Sequence, residues 1–138
     1  MQHVLTPDVG KLFLRLSLGA VILAHSAYLK FFVFTLAGTA SYFYSLGLPS
    51  VLAYIVFVVE VVTGVAIIAG IYPRYCSLLI IPILLGATWA HWGNGWLFTN
   101  AGGGWEYPLL LAVIAFVQAS IGDGKYVVNS RFSSVEPE

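Results

Sequence analysis

Charge is what this chain has least of. Lys, Arg, Asp and Glu together make up 9% of its 138 residues, against roughly 25% in a soluble domain. Hydrophobic residues make up 59%, and the mean hydropathy is +0.90. That balance excludes a soluble globular domain and reads as an integral membrane protein. The six basic and six acidic residues cancel, so nothing points to a nucleic-acid partner. A single cysteine, Cys76, excludes an internal disulfide and any C-x-x-C pair. This weighs against a membrane thiol oxidase working through its own cysteines. The chain lacks G-x-x-x-x-G-K-[ST], so its Gly-rich stretch is no phosphate cradle. No Ser–His–Asp set is readable, and no internal repeat appears. The length suits one domain over 1–138, with no room for a separate soluble catalytic module.

What is present is four apolar runs, at about 12–34, 51–70, 76–92 and 107–121. A helix crossing a bilayer needs about 20 residues at 1.5 Å each. The last two runs are short for that, and their ends are expected to extend into the interface. Gly70-Ile71-Tyr72-Pro73 separates the second from the third. Gly93-Asn94-Gly95 and Gly102-Gly103-Gly104 separate the third from the fourth. The expected fold class is all-α: a polytopic four-transmembrane-helix bundle. A short interfacial helix over Gly38 to Gly47 is expected between spans one and two. A polar tail follows at 129–138.

Basic residues orient the chain. Lys11, Arg15, Arg74, Lys125 and Arg131 fall on one side of a four-span topology, and only Lys30 falls on the other. The positive-inside rule then places both termini in the cytoplasm, with bacterial-type inner membrane as the expected location. Lys11 and Arg15 before an apolar run, with Ala24-His25-Ser26 beyond, also resemble a signal peptide and its cleavage site. The apolar run continues through Phe34, so an uncleaved span is expected.

The polar residues within the runs carry the functional reading. Glu60 interrupts the second run near its centre. At that depth an ionisable group costs on the order of 2.5–3.5 kcal/mol and usually faces a partner, water or a ligand. His25 falls within about one helical turn of the same depth, so a His25–Glu60 hydrogen bond is expected. Gly64, one turn from Glu60, lets a neighbouring helix approach. Two readings stand side by side: a proton-handling or ligand-binding pair, and a polar clasp that fixes helix packing. A second group gathers at the outer boundary: Lys30, His91 and Glu106, among Trp89, Trp92, Trp96, Trp105 and Tyr107. Such aromatics form a belt at any membrane interface, and Lys30 at the end of span one fits a snorkelling lysine. His91 with Glu106 is the stronger sign of a pocket. Pro82 is expected to kink span three.

His25 and His91 differ in depth, which argues against a bis-His haem. Nothing in the spacing of His25, His91, Glu60 and Glu106 demands zinc, so neither metal nor haem is expected. An apolar, aromatic pocket with two histidines and two carboxylates suits an amphipathic, lipid-soluble ligand such as a quinone. The same pocket suits a lipid headgroup or a transported solute.

Several segments resemble the DoxX family of small membrane proteins. They are His25-Ser26-Ala27-Tyr28-Leu29-Lys30, Ser45-Leu46-Gly47-Leu48-Pro49, Val59-Glu60-Val61-Val62-Thr63-Gly64 and Gly70-Ile71-Tyr72-Pro73-Arg74. Most distinctive is the run from His91-Trp92-Gly93-Asn94-Gly95-Trp96 through Gly102-Gly103-Gly104-Trp105-Glu106-Tyr107-Pro108. The family usually has Gly after the histidine; here Ser26 follows His25, and one additional residue precedes Lys30. The resemblance implies a four-helix membrane bundle. The family takes its name from subunits associated with quinol oxidase and thiosulfate:quinone oxidoreductase. It therefore implies a quinone-interacting subunit of a membrane redox system, with His25 and Glu60 in the catalytic role. Lys30, His91, Trp105 and Glu106 would bind the ligand. A protein partner carrying the electron donor is expected, and small-residue faces such as Ser17-Leu18-Gly19-Ala20 make a homo-oligomer plausible. The alternatives are a structural or assembly subunit and a small lipid or solute transporter.

Overall fold

The computed structural model describes residues 6–128. Arg131 and the polar tail expected at 129–138 lie outside them. Among the described residues the structure is all-helical.

The first helix, α1 (Pro7–Leu23), starts where the sequence supplies a start signal. Pro7 takes the first turn, and the Thr6 hydroxyl accepts from Val9 N–H at 3.4 Å. It begins about a turn before the expected residue 12, because Asp8 and Lys11 are tolerated at its polar foot, joined by a 3.3 Å ion pair. At Ala24 the rod continues without a break into a π-helical segment, Ala24–Val33. Together they form 27 residues of apolar helix. Thr35 (φ +62°) turns the chain and caps α2 (Leu36–Ser45), accepting from Gly38 N–H at 3.1 Å. This is the short helix expected between the first two spans. Then follow α3 (Val51–Ala69), α4 (Pro73–Ala90) and α5 (Glu106–Ile121). Gly70, at φ +75°, ends α3 in the left-handed conformation that glycine adopts freely. Pro82 lies inside α4, which runs on through it.

Among the described residues, three helices are long and apolar enough to cross a membrane: Pro7–Val33, Val51–Ala69 and Pro73–Ala90. The fourth, α5, has 16 residues, about 24 Å at 1.5 Å each, against a hydrocarbon core of about 30 Å. The long helices pack as a closed ring in the order α1, α3, α4, α5. The α1–α5 seam is looser than its neighbours and holds an apolar crevice of about 140 Å³. Each helix turns large apolar side chains outward, such as Phe13 (65% exposed), Val62 (60%), Leu79 (57%) and Phe116 (61%). A water-facing surface would not carry such a coat, whereas lipid accepts it.

The core is layered. Leu18, Ile22, Ile67, Ile80, Leu84, Leu111, Ala112 and Ala115 form its apolar centre. Two glycines set the approach of α1 to α3. A Cβ at Gly19 would lie 2.5 Å from Ile68 Cγ1 and 3.0 Å from the Gly64 carbonyl oxygen. A Cβ at Gly64 would lie 2.9 Å from Leu23. This is the close packing that small residues give to membrane helices.

Gly19→Val should therefore wedge α1 from α3. Overpacking of this kind costs about 1–3 kcal/mol. The expected result is a lower unfolding temperature in detergent, whereas Gly10→Val, where a Cβ meets nothing within 4 Å, should leave it unchanged.

Candidate functional site

The π-helical segment carries three of the polar residues at issue. His25, Ser26 and Lys30 all lie within Ala24–Val33. Its geometry decides where they point. His25 and Lys30 are five residues apart. On an α-helix with 3.6 residues per turn they would diverge by about 140°. A π-helix bonds i to i+5, as Phe34 N–H does to the Leu29 carbonyl at 2.7 Å. At about 4.4 residues per turn the divergence falls to about 50°. The additional residue before Lys30 is absorbed in this wider turn, and both side chains come to the same side of the rod.

That side faces α3. The Lys30 ammonium donates to the Glu60 carboxylate and forms an ion pair with it. The sequence pairs Glu60 with His25, but the hydrogen bond goes to Lys30. The Lys30 side chain is 20% exposed and that of Glu60 9%. Burial thus makes the pair an enclosed one, in which neither charge can be removed without stranding the other. Lys30 is accordingly a partner of the mid-span carboxylate and not part of the His91–Glu106 group.

His25 stays close by. Its Nδ1 bonds the Val21 carbonyl at 3.0 Å. A carbonyl only accepts, so Nδ1 carries the proton and Nε2 is left with a lone pair in the neutral ring. The ring lies against Tyr107 of α5, with centroids 5.5 Å apart and planes tilted by 35°. Ser26, fully buried beside it, donates to the Ile22 carbonyl at 2.9 Å.

Tyr107 leads to the second group. It lines a cavity of about 360 Å³ together with Trp96, Phe98, Glu106 and Leu110. Glu106 sits at its rim and accepts from Phe98 N–H at 3.1 Å, so its carboxylate braces the loop. His91 is similarly committed, with Nδ1 donating to the Ala87 carbonyl at 2.8 Å. His91 and Glu106 are thus held separately, each by backbone. Trp105 is the hub of the aromatic loop. It stacks on Trp92 (4.7 Å, 19°) and meets Trp96 edge-on (4.5 Å, 88°).

The Gly-rich stretch is a folded loop. Trp105 and Glu106 N–H groups bond the Gly95 and Trp96 carbonyls at 3.1 and 3.2 Å. Asn94 Nδ2 reaches the Gly102 and Gly103 carbonyls at 3.1 and 2.9 Å. A Cβ at Gly104 would lie 2.2 Å from the Leu97 carbonyl oxygen, so only glycine fits there. Tyr107 and Leu110 also line the α1–α5 crevice, with Leu14, Leu18, Val21 and Ile114. Aromatic mouth and apolar crevice therefore share two wall residues on α5. Among the described residues, no three of His, Cys, Asp and Glu gather closely enough to hold a metal ion.

The DoxX family model matches residues 10–92, which contain α1 from its second turn, the π segment, α3, α4 and His91. The chain belongs to the DoxX family. A Bacillus subtilis (strain 168) protein named "Putative oxidoreductase CatD" is 34% identical over 80 residues. That match covers 58% of this chain and 58% of the relative, so the chain spans less than two thirds of the relative's length. No solved structure matches.

Sequence reasoning singled out Glu60, His25 and Lys30 but paired Glu60 with His25, whereas the ion pair is with Lys30. The missed signal is the five-residue His25–Lys30 spacing, which makes sense only on a wider helix. Arg15, read from the sequence as an orienting basic residue at the start of span one, is 1% exposed.

Lys30→Ala should strand the Glu60 carboxylate and destabilise the protein by about 3 kcal/mol. Lys30→Met combined with Glu60→Leu should recover most of that loss. Unfolding free energies of Lys30→Met, Glu60→Leu and the double variant, compared as a mutant cycle, check this coupling.

Proposed function

We propose that this DoxX-family chain is a quinone-interacting subunit of a membrane oxidoreductase system. The observation that carries the reading is the enclosed Lys30–Glu60 pair, linked through His25 and Tyr107 to an aromatic mouth and an apolar crevice. A flat ring fits among Trp96, Phe98 and Tyr107, and an isoprenoid tail fits between α1 and α5. When bound, a quinone would supply two-electron, two-proton carrier chemistry. The chain's own residues would orient it and manage protons. His25 Nε2 can accept a hydrogen bond from a ring hydroxyl, and Lys30 can donate one to a ring carbonyl. Glu60 can hold a proton once Lys30 turns to the ligand. Trp105, held between Trp92 and Trp96, keeps the mouth in shape, with His91 and Glu106 fixing its loop.

The name of the Bacillus subtilis (strain 168) relative, "Putative oxidoreductase CatD", supports the redox reading in kind. Electrons would come from a protein partner, since the described residues hold no group of metal ligands. The proposal places the chain in a bacterial-type inner membrane, with α5 as the fourth crossing. The end bearing Lys11, Arg15, Arg74 and Lys125, and both termini, would face the cytoplasm. A second reading, a structural subunit whose polar residues only fasten the helices, is favoured by the closure of the ion pair on itself.

Mass spectrometry of organic extracts from mildly purified protein separates the two. The redox reading expects stoichiometric quinone in the wild type and little in Glu60→Gln that still runs as a folded species. Phospholipid alone in both proteins, with quinone added back at saturating concentration during purification, would favour the structural reading.

A further inference from the structure

The end of the bundle opposite the Lys30–Glu60 pair contains a second polar layer. Each long helix contributes to it one position three residues beyond a core residue. Arg15 follows from Leu18 in α1, Gly70 from Ile67 at the end of α3, Ser77 from Ile80 in α4, and Gln118 from Ala115 in α5. Since α1 and α4 start at this end and α3 and α5 finish there, the four positions share one level. Arg15 is 1% exposed, and Ser77 and Gln118 are 0% exposed.

Part of this layer is satisfied by the chain that closes over it. Arg15 Nη1 donates to the Asp123 carbonyl and Nη2 to the Tyr126 carbonyl, each at 3.0 Å. Gln118 Nε2 donates to the Gly122 carbonyl at 3.0 Å. The same segment is tied to the neighbouring helices. Asp123 Oδ1 accepts from Arg74 N–H at 3.2 Å, and Val128 N–H donates to the Gly70 carbonyl at 2.9 Å. Gly70 makes room: a Cβ there would stand 3.2 Å from Arg15 Nη1.

Three buried atoms in the layer have no hydrogen-bond partner among the described residues: Arg15 Nε, Ser77 Oγ and Gln118 Oε1. Buried polar groups are almost always paired, and exceptions need a cause. Their chemistry selects the guest. Nε–H only donates, Oε1 only accepts, and a hydroxyl does both. An anion would suit Arg15 but meet the Gln118 oxygen; a cation would suit Gln118 but meet the guanidinium. Water accepts from the first, donates to the second and bonds the third. A buried water makes about three hydrogen bonds, which matches three atoms of these types.

We propose that Arg15, Ser77 and Gln118 hold an internal water at the basic end of the bundle, sealed beneath residues 122–128. The site is separate from the Lys30–Glu60 pair and does not rest on the quinone reading. It lets the bundle keep a permanent cation inside its wall, and through Arg15 it fastens the chain after α5 to α1.

Water-edited solid-state NMR of the full chain in lipid bilayers tests this. The probe is the Arg15 Nε–H signal, identified by its loss in Arg15→Lys. In the wild type it should gain magnetisation from water several-fold faster than the amides of Ile67 and Ile80. In Ser77→Val, which removes the hydroxyl and fills its side of the site, the gain should slow several-fold. Gln118→Leu serves the same purpose if Ser77→Val does not fold. Build-up in the wild type as slow as at the core amides would overturn the proposal. So would fast build-up that the folded variant leaves unchanged, since that would mean bulk water reaching Arg15 directly.

Discussion

A lysine and a glutamate facing each other inside an apolar helix bundle set the terms for the rest of this structure. Neither charge is tolerable alone at that depth, so the helices that carry them must meet in one register. Gly19 and Gly64 supply the approach, each leaving no room for a Cβ between α1 and α3. The π-helical segment supplies the direction, turning Lys30 toward α3. Wide turns of this kind sacrifice regular helical bonding and are found mostly where function requires them. Here the same turn carries His25 and buries Ser26, so one local distortion positions the charge pair and the histidine together.

Between its two ends the bundle alternates polar and apolar levels. Ser26, Glu60 and Thr88 are buried on one side of the apolar core, and Arg15, Ser77 and Gln118 on the other. The hydroxyls at the first level are spent on their own helices, Ser26 on the Ile22 carbonyl and Thr88 on the Leu84 carbonyl. That leaves the ion pair as the level's one interhelical polar link among the described residues. The second level links outward, to the segment after α5. The two ends are thus built on different terms: one joins helix to helix, the other joins the bundle to its own chain end.

Much of this was legible in the sequence. Apolar runs located the helices, Gly and Pro clusters marked their ends, and Glu60 stood out because nothing else in its run is charged. The partner of Glu60 was not legible, because helical periodicity of 3.6 sends Lys30 away from His25 and depth counted at 1.5 Å per residue sends it to the rim. A π turn alters both quantities, and no residue type announces it. The burial of Arg15 was not legible for a related reason. A basic residue near the start of a span normally reaches water or headgroups, and only the return of residues 122–128 over the helix ends encloses it. The Gly/Trp loop was recognisable as a unit, but Glu106 and His91 could not be assigned from spacing to the backbone groups that hold them.

The layering also sets what surrounds the ion pair on either side. Between it and the Arg15 level, the buried interior is filled by Leu18, Ile22, Ile67, Ile80, Leu84 and Leu111. The buried hydroxyl on that path, Thr63, donates to the Val59 carbonyl at 2.6 Å. In that direction Glu60 faces mainly apolar side chains. In the other direction Lys30 is partly exposed, and His25 presents Nε2 beside the Tyr107 ring at the edge of the aromatic mouth. The polar surroundings of the pair are therefore one-sided, lying toward the end that α2 and the Gly/Trp loop surround. On the proposed redox reading, that asymmetry would open proton exchange at the pair toward one end of the bundle, whatever ligand occupies the mouth.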